Sequence, residues 1–154
     1  MDVLQHFILR DDNCFLIVVQ PLPLGQIVRG EKFHEKRSTD VHRKNLLLCS
    51  PMTENPTPLY GSDKAILPSR IYAVAFVAST TAHEGARKTW IWTLDPILIL
   101  RKPVYIGVPV GQKQQAPRPE HHKALHDVNE AIFLGEYDVP RNNLLVQSTL
   151  HFYI

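Results

Sequence analysis

The chain predicts an α+β fold in which strands outnumber helices. Three observations lead there: six short runs of β-branched and aliphatic residues, two segments with helical apolar spacing closed by glycines, and 12 prolines that fall between the apolar runs. The 154 residues, 44% hydrophobic and 21% charged, suit one soluble, packed domain over residues 1–154. Seventeen basic against fifteen acidic side chains leave a net charge of +2. That is too little to hold nucleic acid by overall field, so any anion site must be local.

The strands are read at Phe15 to Val19, Leu46 to Cys49, Arg70 to Ser79, Thr89 to Leu94, Ile97 to Leu100 and Leu144 to Tyr153. In the last of these, Leu144, Val146, Leu150, Phe152 and Ile154 alternate with more polar residues, the period-two pattern of a half-buried strand. A short helix is expected from about Pro21 to Arg29. Pro23 suits a first turn, Leu24, Ile27 and Val28 repeat at helical spacing, and Gly30 is the stop. A second helix is expected from about Pro119 to Leu134, with Ala124, Leu125, Val128, Ala131 and Ile132 on its apolar face and Gly135 closing it. Met52 to Pro68, proline-rich and without periodicity, reads as a long loop. Many short strands with two helices make a small barrel or sheet.

Cys14 and Cys49 sit in apolar runs without metal-ligand spacing, which predicts buried free thiols in a reducing compartment. The first ten residues include Asp2 and too short an apolar stretch for a secretory signal, and the longest apolar run, Cys14 to Val19, is far below a membrane span. An intracellular, unanchored protein is therefore expected, cytoplasmic or nuclear.

The segment from Gln20 to Lys44 carries the chemistry. Between Gly25 and Lys44, six basic residues (Arg29, Lys32, Lys36, Arg37, Arg43, Lys44) face three acids (Glu31, Glu35, Asp40). If Phe33 to Arg37 is extended, Phe33, Glu35 and Arg37 point one way and His34 and Lys36 the other. Lys32, at the bend after the helix, can swing toward the Glu35 and Arg37 face. A carboxylate between two cations in a partly enclosed cleft could accept the amino hydrogens of a nucleobase while the cations meet carbonyls or phosphate. The plainer alternative is a solvated charge ladder that protects an edge strand.

The spacing Gly30-x-Lys32-x-x-Glu35-x-Arg37 resembles the signature of the ASCH (activating-signal-cointegrator homology) family, whose domains resemble PUA-like β-barrels. Gln20-Pro21, a short helix and Val28-Arg29-Gly30 are similar to the lead-in of the family's eukaryotic coactivator branch, although Leu22 stands where that branch has an aromatic. His42 to Asn45 leading into a strand, Leu67-Pro68-Ser69, Trp90-x-Trp92, Pro103-Val104 and Gly107 resemble the rest in order and spacing. The likeness runs from Phe15 to Lys113. Residues from about 117 to 154 have no obvious counterpart and form a family-atypical helix and strand, packed on the barrel or facing a partner.

The resemblance implies a PUA-like small β-barrel with a short N-terminal helix and a C-terminal helix and strand. It also implies binding of RNA, other single-stranded nucleic acid or a modified nucleoside in a cleft between the first helix and the barrel. Lys32, Glu35 and Arg37 would line that cleft, while Arg29, Arg43 and Lys44 would track the backbone. Lys113 could add a cation where the Gly107 to Lys113 loop passes the cleft; that loop lacks the ending of a phosphate loop. A second function implied is amidohydrolysis of N4-acetylcytidine. Small bacterial members use the motif lysine, a further glutamate and a threonine where this chain has Glu35, so here Glu35 would have to activate water and Lys32 stabilise the oxyanion. A third is a protein-interaction module of coactivator type, acting through the segment after Lys113.

No cofactor or metal is expected. His122 and His126 lie four apart on the second helix, but no acid or third ligand stands at a supporting spacing, and a solvated face is the better reading. Trp90 and Trp92 suit core packing better than base stacking. His83-Glu84-Gly85 reads as a turn, and Ser38 and Thr39 as the residues that end the preceding strand.

Overall fold

The computed structural model describes residues 8–41, 45–52, 66–85, 88–107 and 114–140. Among these residues six strands and two helices follow in the order β1 (Cys14–Val18), α1 (Pro21–Val28), β2 (His34–Arg37), β3 (Asn45–Cys49), β4 (Arg70–Glu84), β5 (Lys88–Tyr105), α2 (His122–Phe133) and β6 (Tyr137–Asp138). One turn of 3-10 helix, Pro119–His121, leads into α2.

The sheet runs β1-β3-β4-β5-β2, with β6 added to β5. Parallel pairing occurs only between β1 and β3 among the described residues; the other strand pairs are antiparallel. The strands thus form an α+β sheet whose ladder is not closed among the described residues. Its two end strands, β1 and β2, are joined across a seam by other means. Arg37 Nη2 donates to Val18 O at 2.9 Å. Leu16 and Gln115 exchange backbone bonds of 2.8 and 3.0 Å, and the Gln114 side chain bonds Thr39 Oγ1 at 3.2 Å.

Both sheet faces are covered, one by each helix. Leu24 and Ile27 of α1 join Ile17, Leu46, Leu48, Ala73, Ala75 and Trp92 in one cluster. Leu125, Val128 and Ile132 of α2 join Leu16, Leu47, Val74, Leu98 and Leu100 in the other. Alternate residues of β3 feed opposite clusters, so Leu46 to Cys49 is a continuous apolar run because neither side meets water. The N-terminal residues strap onto α2 where Asn129 exchanges hydrogen bonds of 2.8 and 3.0 Å with the Leu9 main chain.

Both helices end as their glycines predict. At α1, Gly30 takes φ 75°. Its N–H bonds Ile27 O at 3.0 Å while Glu31 N–H bonds Gln26 O at 2.8 Å, the paired bonds of a left-handed cap. Gly135 (φ 71°) repeats the arrangement after α2, with bonds to Ile132 O and Ala131 O. The first cap turns the chain so that Lys32 to Arg37 runs back beside α1.

Three expectations need correction. The two strands expected on either side of Asp95-Pro96 are one strand, Lys88–Tyr105. Pro96 lacks an N–H, and the strand continues past it because the β4–β5 register shifts between Ala75 and Val77, at a bulge that asks no ladder bond of it. His83 and Glu84 are not a turn but the end of β4, paired with Thr89 and Lys88. The second helix splits into the 3-10 turn and α2. The expected strand Leu144 to Tyr153 and residues 53–65 of the expected loop lie outside the described residues. Among the described residues, no helix is long and apolar enough to cross a membrane.

Candidate functional site

The β2 strand pairs antiparallel with β5, setting Glu35 opposite Trp92 and Arg37 opposite Trp90. Residues directly opposite share a face, so Glu35 and Arg37 lie on the side occupied by the first core cluster. Trp92 is fully buried, and its Nε1–H donates to Thr39 O at 3.1 Å. It is core, as expected, and pins the chain just after β2. Trp90 is half-buried against the same cluster.

Glu35 is one of three buried polar or charged residues among those described, with 6% of its surface exposed. Lys32 Nζ lies 3.4 Å from its Oε1. Arg37 places both Nη2 (2.7 Å) and Nε (3.3 Å) on Oε2. The three motif side chains thus meet, as the sequence predicts. The carboxylate is held by two cations, and it has about one lone pair left, on Oε1, by the usual acceptor capacity of a carboxylate.

Beside this cluster lies a cleft of about 400 Å³, lined by Val18, Gln20, Pro23, Glu35, Lys36 and Arg37. It occupies the seam between β1 and β2, walled on one side by the first turn of α1. Sequence reasoning missed Gln20, Val18 and Lys36 as lining residues. Strand alternation does put the Lys36 side chain on the face opposite Glu35. As β2 is an end strand, however, its outer main-chain groups still face the seam, which side-chain alternation does not reveal.

Arg29, expected to track a nucleic-acid backbone, is turned onto Glu31 (2.6 Å) and onto Gly25 O at its own helix end (3.3 Å). Arg43, Lys44 and Lys113 lie outside the described residues. Thr39 Oγ1 bonds the Gln114 side chain at 3.2 Å.

Both cysteines are free and buried. Burial pushes the Cys49 thiol up to about 12, partly offset by a backbone hydrogen bond from Ile17, so it is no nucleophile at neutral pH. On α2 the histidine pair does not form: His122 Nε2 lies 2.9 Å from Asp11. Instead His126, Asp127 and Glu130 bring ligand atoms within 4.8 Å of one another, acids that the sequence reading discounted. Asp127 already pairs with Lys123 at 3.2 Å. His121, beside that histidine pair in sequence, is buried. Its Nδ1 accepts Arg118 N–H at 3.0 Å, and its Nε2 has no partner among the described residues. Burial and nearby Arg118 lower its pKa below the ordinary 6.5, holding the ring neutral.

The α+β sheet with its two helices is an ASCH-like fold. Two crystal structures of the ASCH protein of Zymomonas mobilis share it. A serine-to-alanine variant matches with a TM-score of 0.52 and 13% identity over 78% of this chain and 99% of that one. The ASCH protein itself matches with 0.50 and 12% over 75% and 95%. No family model matches the sequence, and no curated protein matches it.

Proposed function

We propose that this chain binds RNA or another single-stranded nucleic acid by seating one base, or a modified nucleoside, in the cleft at the β1–β2 seam. One observation carries the reading: a buried glutamate, fixed by Lys32 and Arg37, forms part of the wall of a cavity sized for one small polar ligand. Ligand pockets usually run from roughly 300 to 1,000 Å³, and this one, at about 400 Å³, holds a single nucleotide unit rather than a run of bases. Val18 and Pro23 offer an apolar surface for a ring. The remaining lone pair on Glu35 Oε1 accepts one N–H from a base edge.

The finer expectation of a PUA-like barrel fits here as well, since the side-chain and main-chain bridges across the seam bring the two end strands together without a ladder. Fluorescence anisotropy with a labelled single-stranded RNA tests the reading. Binding that weakens with salt and that Glu35→Ala re-ranks among base compositions supports it. Binding indifferent to Glu35→Ala overturns it.

A further inference from the structure

Among the described residues the cleft offers several hydrogen-bond donors, and these point to what its ligand carries. Arg37 engages Nε and Nη2, while Nη1, with two hydrogens, has no partner among the described residues. Gln20 is the N-cap of α1, yet its side chain makes no capping bond, and the carboxamide stands beside the cleft.

The main chain adds more. Phe33 O accepts from Leu94 N at 2.8 Å, which makes the odd-numbered positions of β2 the hydrogen-bonded partners of β5. The N–H of Lys36 therefore points outward to the seam. On the other side, Leu16 of β1 bonds outward to Gln115, so Val18, two residues on, also faces the seam with its N–H. Its oxygen holds Arg37. The end of α1 flanking the cleft is the positive end of its dipole. On the acceptor side stand the one lone pair of Glu35, the Gln20 oxygen and the outward oxygen of Lys36. Lys32 and Arg37 sit on the one carboxylate of the cluster, Glu35, and the exposed Lys36 ammonium, on the other face of the same strand, adds to the local positive field at a range within the roughly 8 Å over which salt screens charge.

Resting on the reading proposed above, we infer that the cleft takes a phosphate monoester, the terminal phosphate of a nucleotide, with Arg37 Nη1 and the Lys36 main-chain N–H as its donors and Gln20 beside the base or ribose. A monoester carries about −1.5 to −2 charges at neutral pH, and an internal diester carries one. An excess of two positive charges fits the former. Free nucleosides lack the group these donors await, and both a mononucleotide and the phosphorylated end of a strand supply it.

Titration calorimetry on the full chain tests this with five probes: a nucleoside, its 5′-monophosphate, inorganic phosphate, and one short RNA with and without a 5′-phosphate. The monophosphate should bind about tenfold or more tightly than the nucleoside, as a charged hydrogen-bond pair warrants. Arg37→Lys, which keeps the charge but removes Nη1, should bring that ratio close to one. Lys36→Glu, at an exposed position where folding is not at stake, should also reduce it.

A phosphorylated RNA that outbinds the mononucleotide assigns the site to strand ends, and the reverse order assigns it to free nucleotides; both support the inference. Equal binding of nucleoside and monophosphate, still sensitive to Glu35→Gln, overturns it while leaving the base reading intact. Inorganic phosphate binding as tightly as the monophosphate supports the phosphate subsite and overturns the base reading. Absence of binding by all five overturns both.

Discussion

Arg37 and Val18 close the seam of the sheet: Nη2 of the arginine lies 2.9 Å from the carbonyl oxygen of the valine and 2.7 Å from Glu35 Oε2. One nitrogen thus ties the two end strands together and holds the buried carboxylate. The clasp positions the candidate site and supports the fold at the same place, so its removal has two separable effects.

Removing the arginine leaves Glu35 buried with Lys32 alone. Arg37→Met should destabilise the protein by about 2–4 kcal/mol, below the roughly 3–5 kcal/mol of a fully buried pair because Arg37 is partly exposed and Lys32 stays on the carboxylate. Glu35→Gln, which keeps a carbonyl oxygen for Arg37, should cost less, about 1–2 kcal/mol. The double variant Glu35→Gln with Arg37→Met should recover part of the loss, because no buried charge remains unpaired. Urea unfolding of the four proteins measures all three terms.

His121 makes stability depend on pH. Its folded pKa is lowered, so the unfolded chain binds a proton that the folded chain refuses. Stability from this group is complete above the unfolded value of about 6.5 and falls as the pH drops through it, levelling off below the folded value. His121→Asn keeps an acceptor for Arg118 N–H and removes the titration. Its unfolding midpoint should shift less between pH 7.5 and pH 5.5 than that of the parent, and an identical shift would refute the assignment.

The thiols should resist modification in the folded state. Cys49 is wholly buried with its thiol near 12, and the Cys14 thiol lies 3.2 Å from Arg10 O. A thiol-specific reagent at pH 8 should label neither until denaturant is added. Rapid labelling of the native protein would contradict the burial described.

Trp92 anchors the segment after β2 through its bond to Thr39 O. Trp92→Phe keeps most of the ring volume and loses that donor, leaving a carbonyl without its partner. A loss of about 1–3 kcal/mol is expected, with faster amide exchange over residues 38–41 as the local readout.

Much of this arrangement is legible in the residues themselves. Gly30 and Gly135 announce both helix ends because a left-handed cap favours glycine. The spacing of Lys32, Glu35 and Arg37 announces the cluster because a strand alternates and Lys32 stands at a bend. What escapes is whatever depends on partners far along the chain. Arg29 reads as a free cation until Glu31 is seen turned onto it. Pro96 reads as a strand end until the opposing bulge is known. Lys36 and Val18 enter the site through main-chain groups, which side-chain patterns do not encode. The open ladder escapes as well, since periodicity shows that strands exist but not which of them pair.

The central claim is that Glu35 reads a base, and a panel of the four common ribonucleoside monophosphates tests it most directly. Their dissociation constants should be measured for the parent protein and for Glu35→Gln at one salt concentration. The parent should prefer bases that offer an amino hydrogen, and the variant should lose that preference while still binding. A variant whose four affinities fall by the same factor, with the ranking preserved, would contradict the account.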